Sequence, residues 1–489
     1  MSVISNLSLS FIGKALGAVM QLAGTMIIAR LLTPEEFGAF AVSAAAAGLL
    51  TALRNFGTSD FLIQTRNIDA STIGSAFFVT ATISWSLAFL LFSTRHAQAI
   101  FFDAPAVELI LGVLALNFLM SPFIMTGTSL LVRAQDFKTL VIFELLCSFV
   151  GVSTSVLLAL SGVGAVSLAI GMTSNSVGML FLILFKPPHG LTYRPSIARW
   201  AEILRFGGWA SGITLLNQIT GRSPEIVLGR TLGVSSAAIY DKGAALSTLI
   251  WDQIFGQIVR VLLPSFAQEA RNHGDLAGTY FRTVSVLFSL LTPIFLFLAF
   301  HASPLIHILF GDQWGASAPI ATWIAIAGAV ISPFAICEQL LVGSGAIRSV
   351  FIIKLVQTTA MLSALIVLGQ FGLNVASTSL LLSSLIYVTV SQKITLQHLN
   401  SDKFSLLRAL RSSLMIVLST LAAGLVSTLL FGYVNTSRPF LHISVGGILA
   451  IFAWLVTAIW IHHPVYLFGK NVLLGLVKRR RGSVGIKER

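Results

Sequence analysis

Apolar residues run along this chain in blocks of about twenty, and the breaks between the blocks are short and polar. A helix needs about 20 mostly apolar residues to cross a bilayer. Fourteen segments meet that length: approximately 8–31, 36–53, 72–94, 106–131, 139–160, 163–185, 204–228, 235–263, 282–302, 316–341, 350–369, 372–392, 404–431 and 440–462. The breaks have local causes. Pro34 and Gly38 interrupt the first hairpin, Ser161-Gly162-Val163-Gly164 makes a tight turn, and Pro187-Pro188 stops the sixth segment. Gly369-Gln370-Phe371-Gly372 divides 350–369 from 372–392, and counting these as two gives fourteen. The first ten residues have no basic start and no small-residue cleavage site, so the first segment is expected to stay as a spanning helix.

Composition supports this pattern. Of 489 residues, 55% are hydrophobic and 10% charged, with a mean hydropathy of +0.89. Soluble domains carry roughly 25% charged residues. Too little polar surface remains to cover a globule, so lipid must cover it. The two cysteines, Cys147 and Cys337, each sit in an apolar stretch and read as small hydrophobic residues, not as a disulfide or metal pair. The nine histidines have no ligand spacing, and His462-His463 reads as interfacial. No Gly-x-x-x-x-Gly-Lys-Ser/Thr loop, His-Glu-x-x-His or cysteine cluster occurs, and no loop is large enough for a catalytic domain. No cofactor, metal or enzymatic activity is expected.

The charges set an orientation. With both termini in the cytoplasm, 25 of the 31 Lys and Arg fall inside, and five fall outside (Arg30, Arg95, Arg222, Arg230 and Arg438). Lys242 lies within a helix. The net charge of +13 is then a cytoplasmic face turned to anionic headgroups rather than a nucleic-acid surface. The tail Lys478-Arg479-Arg480-Arg481 reads the same way.

The chain also repeats itself. Residues 29–40, Ala-Arg-Leu-Leu-Thr-Pro-Glu-Glu-Phe-Gly-Ala-Phe, are echoed at 229–240, Gly-Arg-Thr-Leu-Gly-Val-Ser-Ser-Ala-Ala-Ile-Tyr. Ser121-Pro122-Phe123 is echoed by Ser332-Pro333-Phe334. Both echoes link spans six apart, which points to parallel repeats related by an axis along the membrane normal. The expected architecture is an all-α polytopic membrane protein with about 14 transmembrane helices. Two pseudo-symmetric six-helix lobes surround a central cavity, and two C-terminal helices follow. The boundaries read as an N-terminal lobe 1–186, a cytoplasmic linker 187–203, a C-terminal lobe 204–395, helices 13 and 14 at 396–464, and a basic tail 465–489. In the linker, Ile197, Trp200, Ile203 and Leu204 share a helical face, which predicts a short interfacial helix.

Ionisable residues inside a bilayer cost about 2.5–3.5 kcal/mol on insertion scales and usually face a cavity or a partner. Span eight is the richest. Asp241, Ala245, Thr248 and Asp252 lie at i, i+4, i+7 and i+11, about 20° apart end to end. Lys242, Gln253 and Gln257 flank them. Asp241 and Lys242 are adjacent and diverge by about 100°, a poor placement for mutual neutralisation. Two readings stand: a central cavity whose cations, Lys242 and Arg230, attract a pyrophosphate or acidic sugars, or an intramembrane ion pair that fixes helix register. Glu144 and Lys354 hold near-equivalent places in the two repeats and could pair as a gate; otherwise Lys354 snorkels and Glu144 is bonded locally. Lys14 either snorkels or lines the cavity. Glu338 reads as interfacial. Arg30 and Arg230 close helices, where the C-terminal dipole stabilises a cation.

The segment 29–38 resembles the opening signature of the bacterial polysaccharide flippases of the multidrug/oligosaccharidyl-lipid/polysaccharide exporter superfamily. Ile226-Val227-Leu228-Gly229-Arg230 with Ile239-Tyr240, and Leu309-Phe310-Gly311-Asp312-Gln313-Trp314 with Ala318-Pro319, are similar too. The chain departs from the family at Glu225, where an aspartate is frequent, and at Asp241-Lys242-Gly243, where Arg-Ala follows the Tyr. The resemblance implies a multi-pass protein of the bacterial inner membrane. It would pass an undecaprenyl-diphosphate-linked oligosaccharide across by alternating access, for exopolysaccharide or O-antigen assembly, beside a polysaccharide polymerase and a chain-length regulator. Substrate binding would fall to Lys242, Arg230, Lys14, Asp252, Thr248 and Gln253, and coupling or gating to Asp241, Glu144 and Lys354. The alternatives are a cation-coupled small-molecule exporter, a lipid II flippase and, from another class, a membrane-embedded polymerase or glycosyltransferase.

Overall fold

A computed structural model describes residues 3–54, 57–65, 68–272, 274–431, 439–464 and 466. Arg66, Arg438 and the charged part of the expected basic tail, Lys478 to Arg481 included, lie outside the described residues. Among those described, the regular structure is helical throughout. The helices are α1 (Val3–Leu31), α2 (Pro34–Arg54), α3 (Thr58–Gln64), α4 (Ala70–Phe102), α5 (Ala106–Arg133), α6 (Phe137–Leu160), α7 (Val166–Phe185), α8 (Trp200–Thr231) and α9 (Val234–Ile250). They continue as α10 (Gly256–Arg271), α11 (Leu276–Phe300), α12 (Ala302–Phe310), α13 (Ser317–Ile331), α14 (Cys337–Gly343), α15 (Ile347–Leu368), α16 (Leu373–His398), α17 (Lys403–Phe431) and α18 (Pro439–Trp460). Twelve helical stretches among the described residues are long and apolar enough to cross a membrane. The more polar α8 and the 15-residue α13 occupy the two remaining expected spans.

Short polar signals start these helices. The Asp69 carboxylate accepts from the Thr72 amide at 2.8 Å, Asp136 from Thr139 at 3.1 Å, Asp275 from Gly278 at 2.8 Å and Asp402 from Ser405 at 2.9 Å. Each satisfies an amide that the helix itself leaves without a partner. Thr33 and Glu36 form a reciprocal capping box around Pro34: the Thr33 amide donates to Glu36 Oε2 (2.9 Å) and the Glu36 amide to Thr33 Oγ1 (3.2 Å). The turn at 369–372 closes through Gly372, whose φ of 99° suits glycine, and it separates α15 from α16.

The chain divides into two compact units. The first holds residues 1–242, 309–316 and 361–376; the second holds 243–308, 317–360 and 377–489. In the first unit the helices meet through small residues. Any side chain at Gly13 or Gly24 of α1 would strike Val141 or Val152 of α6, and one at Gly127 of α5 would strike Ile183 of α7. Close backbone approach of this kind is how helices gain packing in lipid, where burial gives no hydrophobic drive. A core of Val42, Leu91, Val107, Ile110, Leu111 and Phe118 fills the centre of this unit.

In the second unit, α11 packs on α13 and α17. Phe295 lies against Gly328 and Phe300 against Gly424. The last two helices join this unit through polar contacts: Trp454 Nε1 donates to the Ser289 carbonyl at 2.7 Å, and Ser413 Oγ donates to the Ser285 carbonyl at 2.8 Å.

Two expectations change. The linker holds no separate interfacial helix: residues 187–197 are extended or turning, and Trp200, Ile203 and Leu204 form the first turns of α8 itself. Pro187, Pro188, Gly190 and Pro195 oppose helix, and the extended strip docks on α4, where the Ser196 amide donates to the Gly74 carbonyl at 3.2 Å. Span ten is also broken. Pro333 cannot donate and disfavours a helical Ser332, so α13 ends at Ile331 and tight turns lead to α14. Its echo, Pro122, stays inside a continuous α5.

Candidate functional site

The first hairpin, the second hairpin and the turn at 309–316 meet in the first unit. The Trp314 indole donates to the Ala29 carbonyl at 2.7 Å, and the Gln313 amide donates to the carbonyls of Ala29 and Leu32. Arg30 donates to the carbonyls of Met26 (3.1 Å) and Leu309 (2.9 Å), so it closes α1 and ties it to the turn. A Cβ on Gly38 would collide with the Val234 carbonyl, and one on Gly229 with Val42. The two echoing hairpins therefore pack against each other, each through a small residue.

Lys242 sits in this junction. It is 1% exposed, and its ammonium stands 3.4 Å from the Phe37 ring centroid, with Phe310 at 5.5 Å and Trp314 at 5.7 Å. Asp241 Oδ2 is 3.2 Å from Lys242 Nζ. The expectation from helical angles, that these neighbours would not neutralise one another, is overturned. A lysine stem reaches several ångströms, far enough to fold back to an adjacent carboxylate, and an aromatic enclosure favours the resulting desolvated cation. Arg230 is exposed at the end of α8 and lies over the Phe101 ring at 5.1 Å.

Arg222 and Glu225 were not singled out as a site by the sequence. The continuous α8 places Arg222 about 12 Å before the helix end, eight residues short of Arg230. Its guanidinium lies 3.6 Å from Glu225 Oε1, and the Glu225 side chain is only 6% exposed. The signal available was the expected span 204–228 itself, which places Arg222 within a helix and Glu225 three residues on, about one turn away.

A polar cleft of about 340 Å³ opens among α1, α6 and α7. Lys14, Gln21, Glu144, Ser148 and Asn175 line it. Lys14 of α1 and Glu144 of α6 are thus brought together, with the ammonium within electrostatic reach of the carboxylate. Gly13 and Gly17 form part of its wall on α1.

In the second unit, Lys354 Nζ pairs with Glu338 Oε1 at 2.7 Å, and the Tyr387 hydroxyl donates to the same oxygen at 2.7 Å. Glu338 is therefore a paired, partly buried group. Lys354 and Glu144 belong to different units; within its own unit Lys354 pairs with Glu338, and Glu144 lies within electrostatic reach of Lys14. Thr248, Asp252 and Gln253 also fall in the second unit and are exposed. The stripe drawn through them assumed a regular helix, whereas Trp251–Phe255 form one wide π-type turn that shifts the register after Asp252.

The sequence profile described as "Polysaccharide biosynthesis protein" matches residues 27–319. The chain belongs to that family. It is 26% identical over 335 residues to the succinoglycan biosynthesis transport protein ExoT of Rhizobium meliloti, covering 68% of this chain and 67% of that one. It is 22% identical over 350 residues to the lipopolysaccharide biosynthesis protein WzxC of Escherichia coli, covering 71% of each. Among solved structures, an inward closed conformation of the lipid II flippase MurJ superposes with a TM-score of 0.74 at 13% identity, covering 93% of this chain and 99% of that one. An inward-facing multidrug resistance MATE transporter superposes with a TM-score of 0.63 at 17% identity, covering 78% and 94%. The fold is that of the MurJ and MATE transporters. The matched span of the polysaccharide biosynthesis family, 27–319, begins just before Ala29 and takes in Arg222, Glu225, Lys242 and the turn at 309–316.

Proposed function

We propose that this multi-pass membrane protein is a flippase. It moves an undecaprenyl-diphosphate-linked oligosaccharide across the bacterial inner membrane by alternating access, for exopolysaccharide or O-antigen assembly. The observation that carries the reading is the cleft of Lys14, Gln21, Glu144, Ser148 and Asn175 set among apolar helices. Two amides, a hydroxyl, a cation and a carboxylate suit sugar hydroxyls and an anionic link. Family membership and the names of the relatives support it. In this reading Lys14 and Glu144 contact the polar headgroup; Asp252, Thr248 and Gln253 are exposed polar candidates within the second unit. Lys242 acts indirectly, by holding the hairpins with Asp241 as its partner, and the exposed Arg230, over the Phe101 ring, contributes to substrate binding. Both termini lie in the cytoplasm, the six-helix lobes divide in the 187–203 linker, and a polymerase and chain-length regulator take the product.

The test is purified protein in liposomes with a fluorescent lipid-linked oligosaccharide. Translocation without lengthening of the glycan is expected, and lengthening would point to a polymerase instead. Lipid II, offered in parallel, distinguishes a lipid II flippase by preferential transport.

A further inference from the structure

Glu225 is a buried carboxylate with an unfinished set of contacts. Its Oε1 lies 3.6 Å from the Arg222 guanidinium, while Oε2 is buried without a hydrogen-bond partner. Asp241 of α9 lies within electrostatic reach, but that carboxylate is already held by Lys242 at 3.2 Å. Tyr240 is the other titratable neighbour from α9. From α2 there is none between Glu36 and Arg54, and from α4 none between Asp69 and Arg95. Arg222 is the group that reaches water: its side chain is 41% exposed, about 12 Å inside the end of α8. A guanidinium at that depth faces a wet or anionic space, not lipid. Gly48 of α2 gives it a seat, since a Cβ there would stand 3.3 Å from Arg222 Nε.

Resting on the flippase reading, we propose that Arg222 and Glu225 form a proton-controlled diphosphate site. A proton adds to the Glu225 carboxylate, which becomes neutral and releases Arg222. The guanidinium then takes an anionic diphosphate oxygen as its new counterion, in the forked geometry it makes with phosphate. Return of the guanidinium to Glu225 expels both the proton and the diphosphate. The orphaned Oε2 is the oxygen that carries the proton. Arg222 thus alternates between one internal and one external anion, and the membrane never holds it bare.

The experiment uses the full chain in nanodiscs, with undecaprenyl diphosphate, undecaprenol and inorganic diphosphate as probes. Calorimetry in two buffers of different ionisation enthalpy counts protons. The wild type should take up about one proton per undecaprenyl diphosphate bound, with affinity rising by up to about tenfold per unit fall in pH. Glu225→Gln should bind with a flat pH profile and no uptake from this site, Glu225→Asp should keep the uptake, and Arg222→Ala should lose the preference for diphosphate. Unchanged uptake and slope in Glu225→Gln would overturn the proposal while leaving the flippase reading intact. Equal binding of undecaprenol and undecaprenyl diphosphate by the wild type would instead sink the flippase reading. Inorganic diphosphate competing with the same proton count shows that the site reads the anion; binding with no proton uptake overturns it. Melting curves of all variants in the same nanodiscs separate misfolding from lost binding, and a misfolded Glu225→Gln leaves Glu225→Asp and Arg222→Ala to decide.

Discussion

The ammonium of Lys242 stands 3.4 Å from the centre of the Phe37 ring, and so a residue of the second hairpin is held by the signature of the first. The lysine is sealed by Phe310 and Trp314 and neutralised by Asp241. Its charge therefore works on structure before it works on anything carried.

Removing that charge alone should destabilise. Lys242→Met leaves Asp241 without its cation, and breaking a buried pair from one side typically costs about 3–5 kcal/mol. The partner is part-exposed, which brings the expectation to the lower end. Lower abundance and a reduced melting temperature are expected, with recovery in the double variant Lys242→Met/Asp241→Asn. Normal melting of Lys242→Met would assign the lysine to substrate contact.

The two small residues of the hairpins should respond differently to a methyl group. Gly38→Ala meets the Val234 backbone, which has no way to shorten, whereas Gly229→Ala meets the Val42 side chain. Overpacking of this kind costs about 1–3 kcal/mol. Val42→Ala should restore the melting temperature of Gly229→Ala, and Val234→Ala should fail to restore that of Gly38→Ala.

Charge swaps separate the two lysines that sequence left open. Glu338→Lys with Lys354→Glu should regain export lost in either single variant, because the pair is made within one unit at 2.7 Å. Glu144→Lys with Lys354→Glu should regain none. In the cleft, Lys14→Glu with Glu144→Lys should restore the melting temperature yet leave export impaired, since the site then presents its charges in reverse. Export is read as polysaccharide per cell against protein abundance.

The pH response of α6 follows from its cap. Hydrogen bonds from the Thr139 hydroxyl and amide hold the Asp136 carboxyl below its usual range, with Lys186 and Lys138 adding to the effect. A depressed folded value means that the cap's stabilisation is complete above the ordinary aspartate range near 4 and is lost as pH falls through the folded value. Asp136→Ala should cost about 1 kcal/mol at neutral pH. The gap between variant and wild type in detergent unfolding curves should close as the pH drops below that range.

The sequence alone determined that the chain is helical, roughly where its spans lie, and its family. Runs of twenty apolar residues leave a backbone no choice in lipid but to bond within itself. Local signals such as Thr33-Pro34-Glu35-Glu36 are written in adjacent residues and need no partner to be read. The repeat at Arg30 and Arg230 was legible for the same reason, and so was the candidacy of Lys14, Glu144 and Lys242 as charges that lipid would not tolerate. Tertiary structure decided which charge met which. Lys354 found Glu338 within one unit, and Lys14 found Glu144 because Gly13 lets α1 lie against α6. Arg222 lies within the expected span 204–228 and counts with the outer charges; its pairing with Glu225 became visible only in the folded helix. A pairing between side chains on different helices depends on helix rotation, depth and close approach, and these are fixed by packing among all the helices at once, not by the spacing along any one of them.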